Sequence, residues 1–303
     1  MRPLAVGVQL PEVEREVRWP EIRSMAVLAE AVGFDSIWLG DHLVYRPEDA
    51  DPRGPWEAWS MLAAIAAVTE RVQIGPLVAA TAFHTPAMLA KKAVTVDEIS
   101  GGRLILGLGA GWNRTEFDAF GYPFDHRASR FEEAFHLIRR LVGGEEVDHR
   151  GGYYRLDQAV LLPAGPRPGG PPILIGSQGP RLLKATAPFM DQWNGWYAWY
   201  GNRAEGLPDL LAKLEDACEA VGRDSSEISK TVAVLATLPG GRGRIHGDAE
   251  QEGKNPLAGS PAEIADVLGR YAGLGIDHVQ MVLDPITEGS IEWFTSVLSE
   301  LDA

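Results

Sequence analysis

VQIGPLV at residues 72–78 and ILIG at residues 173–176 are short, near-continuous apolar runs. A strand with one wet face alternates apolar and polar side chains, whereas runs like these suit strands of a parallel sheet covered on both faces. Six more β-like stretches accompany them, at residues 4–10, 36–40, 104–108, 192–196, 231–236 and 278–283, with longer helical stretches between. Helix starts are legible at Thr85 before Pro86, and at Ser260, Pro261 and Glu263, which stand in capping-box order. Eight β/α alternations predict an α/β fold of the (β/α)₈ TIM-barrel type. The competing open doubly wound sheet expects GxGxxG after its first strand, and VGVQLPEVE carries none.

Around that frame, 303 residues with 45% hydrophobic composition leave ample chain for a core, and the expected organisation is one barrel domain over residues 1–303. Two stretches exceed what a barrel needs. The first insertion, near residues 113–170, holds a helix around residues 130–142 and then HRGGYYRLDQAVLLPAGPRPGGPP, which reads as a hairpin and a Pro/Gly-rich return. The second, near residues 238–259, is LPGGRGRIHGDAEQEGKNPLAG, too rich in glycine and charge to pack as an element, and reads as a mobile lid. With 28 basic against 42 acidic side chains the net charge is −14, which argues against a duplex or membrane-surface binder.

Cys218 is the only cysteine, so neither a disulfide framework nor a multi-cysteine zinc site is available, and no metal is expected. It repeats at helical spacing with Leu207, Leu210, Leu211, Leu214 and Val221 and is read as core packing. The apolar run at the N-terminus is too short for a signal sequence, and no window approaches the ~18 apolar residues of a membrane span. The expectation is a cytoplasmic protein.

Barrel enzymes draw their chemistry from the C-terminal ends of the strands. Here those ends carry Asp41 and His42 after the second strand, and Gly109, Trp112 and Asn113 after the fourth. Gly176, Ser177, Gln178 and Gly179 follow the fifth, the aromatic run WNGWYAWY belongs to the sixth, and Asp284 ends the eighth. His42 beside Asp41 is a candidate proton carrier, because imidazole titrates near neutrality; an ordinary hydrogen-bonded pair is the plain alternative. GSQGPR, ending in Arg181, follows a buried strand and opens a helix, so its backbone N–H groups, a hydroxyl and a guanidinium could converge on a phosphate; a turn that binds nothing is equally compatible. The aromatic run at residues 193–200 reads as a wall for a planar ligand or a dimer contact. A glycosidase needs two facing carboxylates, and the strand ends offer only Asp41 and Asp284.

SIWLGDH at residues 36–42, LAKKAVTVDEISGGRLILGLGAGWNRTEFDAFGYPF, RFEEAFHLIRRL and PILIGSQGPRLLK together resemble the bacterial luciferase-like monooxygenase superfamily, and more narrowly its deazaflavin-dependent oxidoreductases, which use coenzyme F420. The resemblance implies a barrel with insertions, usually a homodimer, transferring a hydride between coenzyme F420 and a small organic substrate. It places Asp41 and His42 near the ring, Gly176, Ser177, Gln178 and Gly179 on the cofactor phosphate, and Pro76, Leu77 and Val78 at a bulge behind the ring that often holds a non-proline cis peptide. Arg181, Lys184, Arg114 and Arg127 are the nearest cations for a polyanionic cofactor. The flavin branch of the same superfamily implies FMN, oxygen and a partner flavin reductase instead, and a third reading is a barrel that binds the cofactor without turnover. Two departures stand out: sugar-phosphate dehydrogenases of the superfamily carry an acidic glutamate where this chain has Trp112, and their tryptophan after the Asp-His pair is replaced by Arg46 or a neighbour.

Overall fold

The computed structural model describes residues 2–47, 51–241 and 255–303. Its strands are β1 (Ala5–Gln9), β2 (Ser36–Leu39), β3 (Gln73–Pro76), β4 (Ala79–Ala80), β5 (Leu106–Gly109), β6 (Val147–Arg150), β7 (Arg155–Ala159), β8 (Ile173–Gly176), β9 (Gln192–Gly195), β10 (Ser229–Thr237) and β11 (His278–Asp284). Between and after them run helices α1 (Trp19–Val32), α2 (Ala58–Val68), α3 (Pro86–Ser100), α4 (Arg114–Phe120), α5 (Arg127–Val142), α6 (Pro180–Thr186), α7 (Leu207–Glu219), α8 (Pro261–Gly273) and α9 (Glu288–Asp302).

Nine strands form one parallel sheet in the order β3-β2-β1-β11-β10-β9-β8-β5-β4. Its two outermost members, β3 and β4, are consecutive pieces of a single stave, separated by Leu77 and Val78, whose peptide bond is cis. The ring closes on both pieces: Ile74 bridges Leu104 in parallel below, and Ala79 and Ala80 pair with Leu108 and Gly109 above. The result is a (β/α)₈ barrel of eight staves at the eight positions expected from the sequence. Residues 72–78, expected as one strand, are interrupted because Pro76 has no N–H to continue a ladder.

Helices cover the outside of the barrel through one large apolar core that includes all of β11's Val279, Met281 and Leu283. The buried face of α7 is Leu207, Leu210, Leu211, Leu214 and Cys218, as its spacing indicated, and Ser260 and Glu263 form a complete capping box on α8. Inside the barrel the lining is partly polar. Ser36 Oγ accepts from Trp38 Nε1 at 2.6 Å and lies 2.7 Å from His278 Nε2, while Asn194 Nδ2 donates to Thr231 Oγ1 at 2.8 Å and Gln280 Oε1 at 2.7 Å. A polar lining of this kind is stable only where its members satisfy one another.

The first insertion contains α4, α5 and the antiparallel β6–β7 hairpin. Glu133 on α5 holds that hairpin: its carboxylate accepts from His149 Nε2 at 2.9 Å and from the backbone N–H groups of Gly152, Tyr153 and Tyr154. The Pro/Gly-rich return is tied to α3 by a bidentate pair of Arg167 with Asp97, at 3.0 and 2.6 Å. Most of the lid expected near residues 238–259 lies outside the described residues. Among the described residues no helix is long and apolar enough to cross a membrane.

Candidate active site

Because all barrel strands are parallel, every strand C-terminus opens on the same mouth, and side chains distant in sequence meet there. His42, just past β2, is the centre of the cluster. Its Nδ1 is 2.8 Å from Glu116 Oε1, on the first turn of α4, and its Nε2 is 3.7 Å from Glu12 Oε1, in the connection after β1. Glu12 also accepts from Tyr45 Oη at 2.8 Å and from Gln9 Nε2 at 2.7 Å. Both glutamates are almost fully buried, with side chains 4% and 1% exposed. Burial alone pulls the His42 pKa down, but the Glu12 charge, the Glu116 hydrogen bond and charge, and Asp41 outweigh it, and the pKa stands above the ordinary imidazole value. His42 therefore binds its second proton more tightly than a free imidazole does.

Asp41, its neighbour in the chain, is oriented differently. Oδ2 accepts the Ala80 N–H at 2.9 Å and lies 3.2 Å from His84 Nε2, whose Nδ1 is 3.4 Å from Lys92 Nζ. An ammonium only donates, so Lys92 fixes His84 with its proton on Nε2, facing the carboxylate. Among the described residues no hydrogen bond reaches Asp41 Oδ1.

The other expected residues divide into those at the cluster and those apart from it. Trp112 is about half exposed and lies against His42 and Tyr45, with ring centroids 5.7 and 6.4 Å away. Asn113 is the N-cap of α4, accepting from Thr115 N–H, and its Nδ2 donates to Glu116 Oε1 at 3.0 Å and Val44 O at 3.3 Å. Pro76 ends β3, Leu77 and Val78 form the interruption, and Val78 presses against Gly109 and Gly176: a Cβ on either glycine would lie 2.6 or 2.9 Å from Val78 Cγ2. The phosphate-loop candidates are largely bonded among themselves and to neighbours. Ser177 Oγ accepts Gly179 N–H at 3.2 Å, Ser177 O accepts Trp193 Nε1 at 2.7 Å, and Gln178 Oε1 accepts Lys213 Nζ at 2.9 Å.

Of the candidate cations, Arg181 is paired with Glu132 and Ser129 on α5, Arg114 with Asp118, and Arg127 with the Gly111 carbonyl. The aromatic run departs in part from expectation: Trp193, Tyr197 and Tyr200 are buried in the core, while Trp196 and Trp199 are partly buried against it. A cavity of about 450 Å³ lies beside the mouth, with Glu12, Leu39 and Gly40 on its inner side and Pro52, Trp56 and Met61 among its outer residues. Glu12 belongs both to that cavity and to the His42 cluster.

Glu116 and Glu12 were not among the residues singled out from the sequence. NRTE at residues 113–116 reads as an N-cap with glutamate at the third helical position, an ordinary helix start. The missing signal is spatial: His42 and Glu116 are 74 residues apart.

Fold and site together define a parallel-barrel protein with an acid–base cluster at its mouth. The family model for luciferase-like monooxygenases matches residues 4–239, and the chain belongs to that family. It is 34% identical over 176 residues to a 5,10-methylenetetrahydromethanopterin reductase of Archaeoglobus fulgidus, covering 58% of this chain and 49% of that one. Over 216 residues it is 34% identical to an F420-dependent glucose-6-phosphate dehydrogenase of Amycolatopsis mediterranei, covering 69% of this chain and 62% of the relative. The chain thus spans about half to under two thirds of the length of these curated relatives. An F420-dependent secondary alcohol dehydrogenase, solved with an F420–acetone adduct, shares the fold over 99% of both chains with a TM-score of 0.82 at 21% identity.

The mouth fits the ring of such a cofactor better than its phosphate. Glycines at positions 109 and 176 leave Val78 uncovered by any Cβ, which keeps that wall low, and Asp41 offers an acceptor oxygen beside it. At the phosphate loop the guanidinium of Arg181 is already engaged by Glu132.

Proposed function

We propose that this chain is an oxidoreductase that transfers a hydride between coenzyme F420 and a small organic substrate, with His42 as the proton carrier and Asp41 as a contact of the ring. The observation that carries the reading is His42 held between buried Glu116 and Glu12 at the barrel mouth, in a chain similar to F420-dependent enzymes. When bound, the reduced deazaflavin supplies a hydride. The protein's part is the proton: in carbonyl reduction the substrate carbon takes the hydride and its oxygen takes the proton from His42, whose proton affinity the surrounding carboxylates raise. Pro76, Leu77, Val78, Gly109, Trp112 and Asn113 would border the ring, and Gly176, Ser177, Gln178, Gly179 and Arg181 the phosphate.

A single barrel domain, a homodimer and a cytoplasmic location belong to the same proposal. Support for self-association comes from α2, which carries no charged residue, and from exposed Met88 and Ile99 on α3.

Titration of the purified protein with coenzyme F420 and FMN side by side tests the cofactor. Micromolar binding selective for the deazaflavin is expected. Preference for FMN would move the protein to the oxygenase branch, and binding of neither would end the proposal. Once a substrate is found, H42N is expected to bind coenzyme F420 with little change while losing about 100-fold or more in kcat.

A further inference from the structure

We propose that Glu116 is the positioning residue of His42, fixing the imidazole with a proton on Nδ1 so that Nε2 is the nitrogen that gains and loses its proton. The functional weight of this arrangement rests on the reading of His42 given above, but the arrangement itself does not.

A carboxylate accepts hydrogen bonds and donates none, so a 2.8 Å contact between Glu116 Oε1 and Nδ1 requires a proton on Nδ1 whatever the state of Nε2. Glu116 is itself held. Its residue is 1% exposed, and the same Oε1 receives Asn113 Nδ2 at 3.0 Å, while Asn113 is anchored to α4 by Thr115 N–H and to the β2 loop by Val44 O. The N-cap that starts the helix therefore also orients the glutamate, which in turn orients the histidine.

Among the described residues nothing comparable binds the other nitrogen. The groups facing His42 are Asp41 beside it, Tyr45 further along its own loop, Glu12 after β1, and Trp112 and Glu116 after β5. Glu12 Oε1 is 3.7 Å from Nε2, beyond hydrogen-bond distance, and Glu12 already receives Tyr45 Oη and Gln9 Nε2. Nε2 is thus the nitrogen at which proton exchange is not blocked by a fixed bond. Neutral histidine in water prefers the opposite form, with its proton on Nε2, so the arrangement leaves a signature that a passive side chain lacks. Trp112 stands where the resemblance places an acid, and Glu116 restores a carboxylate to the same helix start, acting through His42.

The test is a long-range ¹H–¹⁵N correlation spectrum of histidine-labelled, cofactor-free protein between pH 5 and 9, with the His42 signals assigned by their loss in H42N. Neutral His42 is expected in the Nδ1–H form. In E116A it is expected to revert to the Nε2–H form and to lose at least about tenfold in proton affinity, and in E116Q, which keeps the shape without the charge, the loss of proton affinity should persist. An Nε2–H form in the unmodified protein overturns the proposal. So does an unchanged tautomer and midpoint in a folded E116A. Should E116A fail to fold, E116Q and the unmodified protein decide between the same outcomes. No readout involves coenzyme F420, so failure of cofactor binding would end the function proposed above and leave this assignment decided on its own.

Discussion

His278, the first residue of β11, is 5% exposed, and burial pushes its pKa down to about 4. An unfolded chain protonates this imidazole below about pH 6.5, whereas the folded barrel resists until near 4. The stability contributed by keeping it neutral is complete above pH 6.5 and drains away as pH falls toward 4, amounting to roughly 3 kcal/mol over that window. Denaturant unfolding at pH 7 and pH 4.5 should show a shallower acid loss in H278N than in the unmodified protein; equal slopes would contradict it. His42 has the opposite sign. Its raised pKa gives stability that is full below the unfolded value and is lost as pH rises through the folded one. Burial pulls both pKa values down, but only at His42 do the neighbouring carboxylates outweigh it. Asp41 and His42 were legible because they end a buried strand, whereas Glu116 looked like an ordinary first-turn glutamate of α4, and its use depends on a partner from another stave.

At the scale of elements, the sequence conveyed the number and order of staves because apolar runs and helix starts alternate without ambiguity. The apolar run VQIGPLV did not by itself show that the third stave is cut; the resemblance did, by placing a bulge at Pro76, Leu77 and Val78, and the structure has a cis Leu77–Val78 bond there. The aromatic run at residues 193–200 was misleading for a related reason: density of large rings does not tell which side of a strand end faces the core. The cut stave leads to a prediction. A Cβ at position 109 meets Val78 Cγ2 at 2.6 Å, and a branched side chain has little room to turn aside. G109A should cost about 1–3 kcal/mol, and V78A in the same chain should return most of it, a coupling that a double-mutant cycle in denaturant measures. Additive effects would show that the two residues do not press on one another in solution.

At the scale of the whole molecule, the −14 net charge opposes the approach of a polyanion such as coenzyme F420. The screening length shrinks from about 30 Å at 10 mM salt to about 8 Å at 150 mM, weakening that repulsion. Stopped-flow association with coenzyme F420 should therefore speed up as salt rises over that range; a slowing would mean that cations near the mouth outweigh the global field. Barrel class and family could be read from the chain because they depend on many weak signals that agree. The site was only half readable because its geometry depends on which strand ends are neighbours.

The divided third stave has one more consequence. Where β2 meets its neighbours at the mouth, β3 stays with β2 and β4 pairs with β5, so the wall has a slit along that line. The stitches across it are Leu77 N–H to Leu39 O at 2.7 Å, Ala80 N–H to Asp41, and His42 to Glu116. The last of them holds the residue proposed above to carry the proton. On that reading, the bond that orients the proton carrier is also one of the bonds that lace the rim together, so E116A would remove both at once.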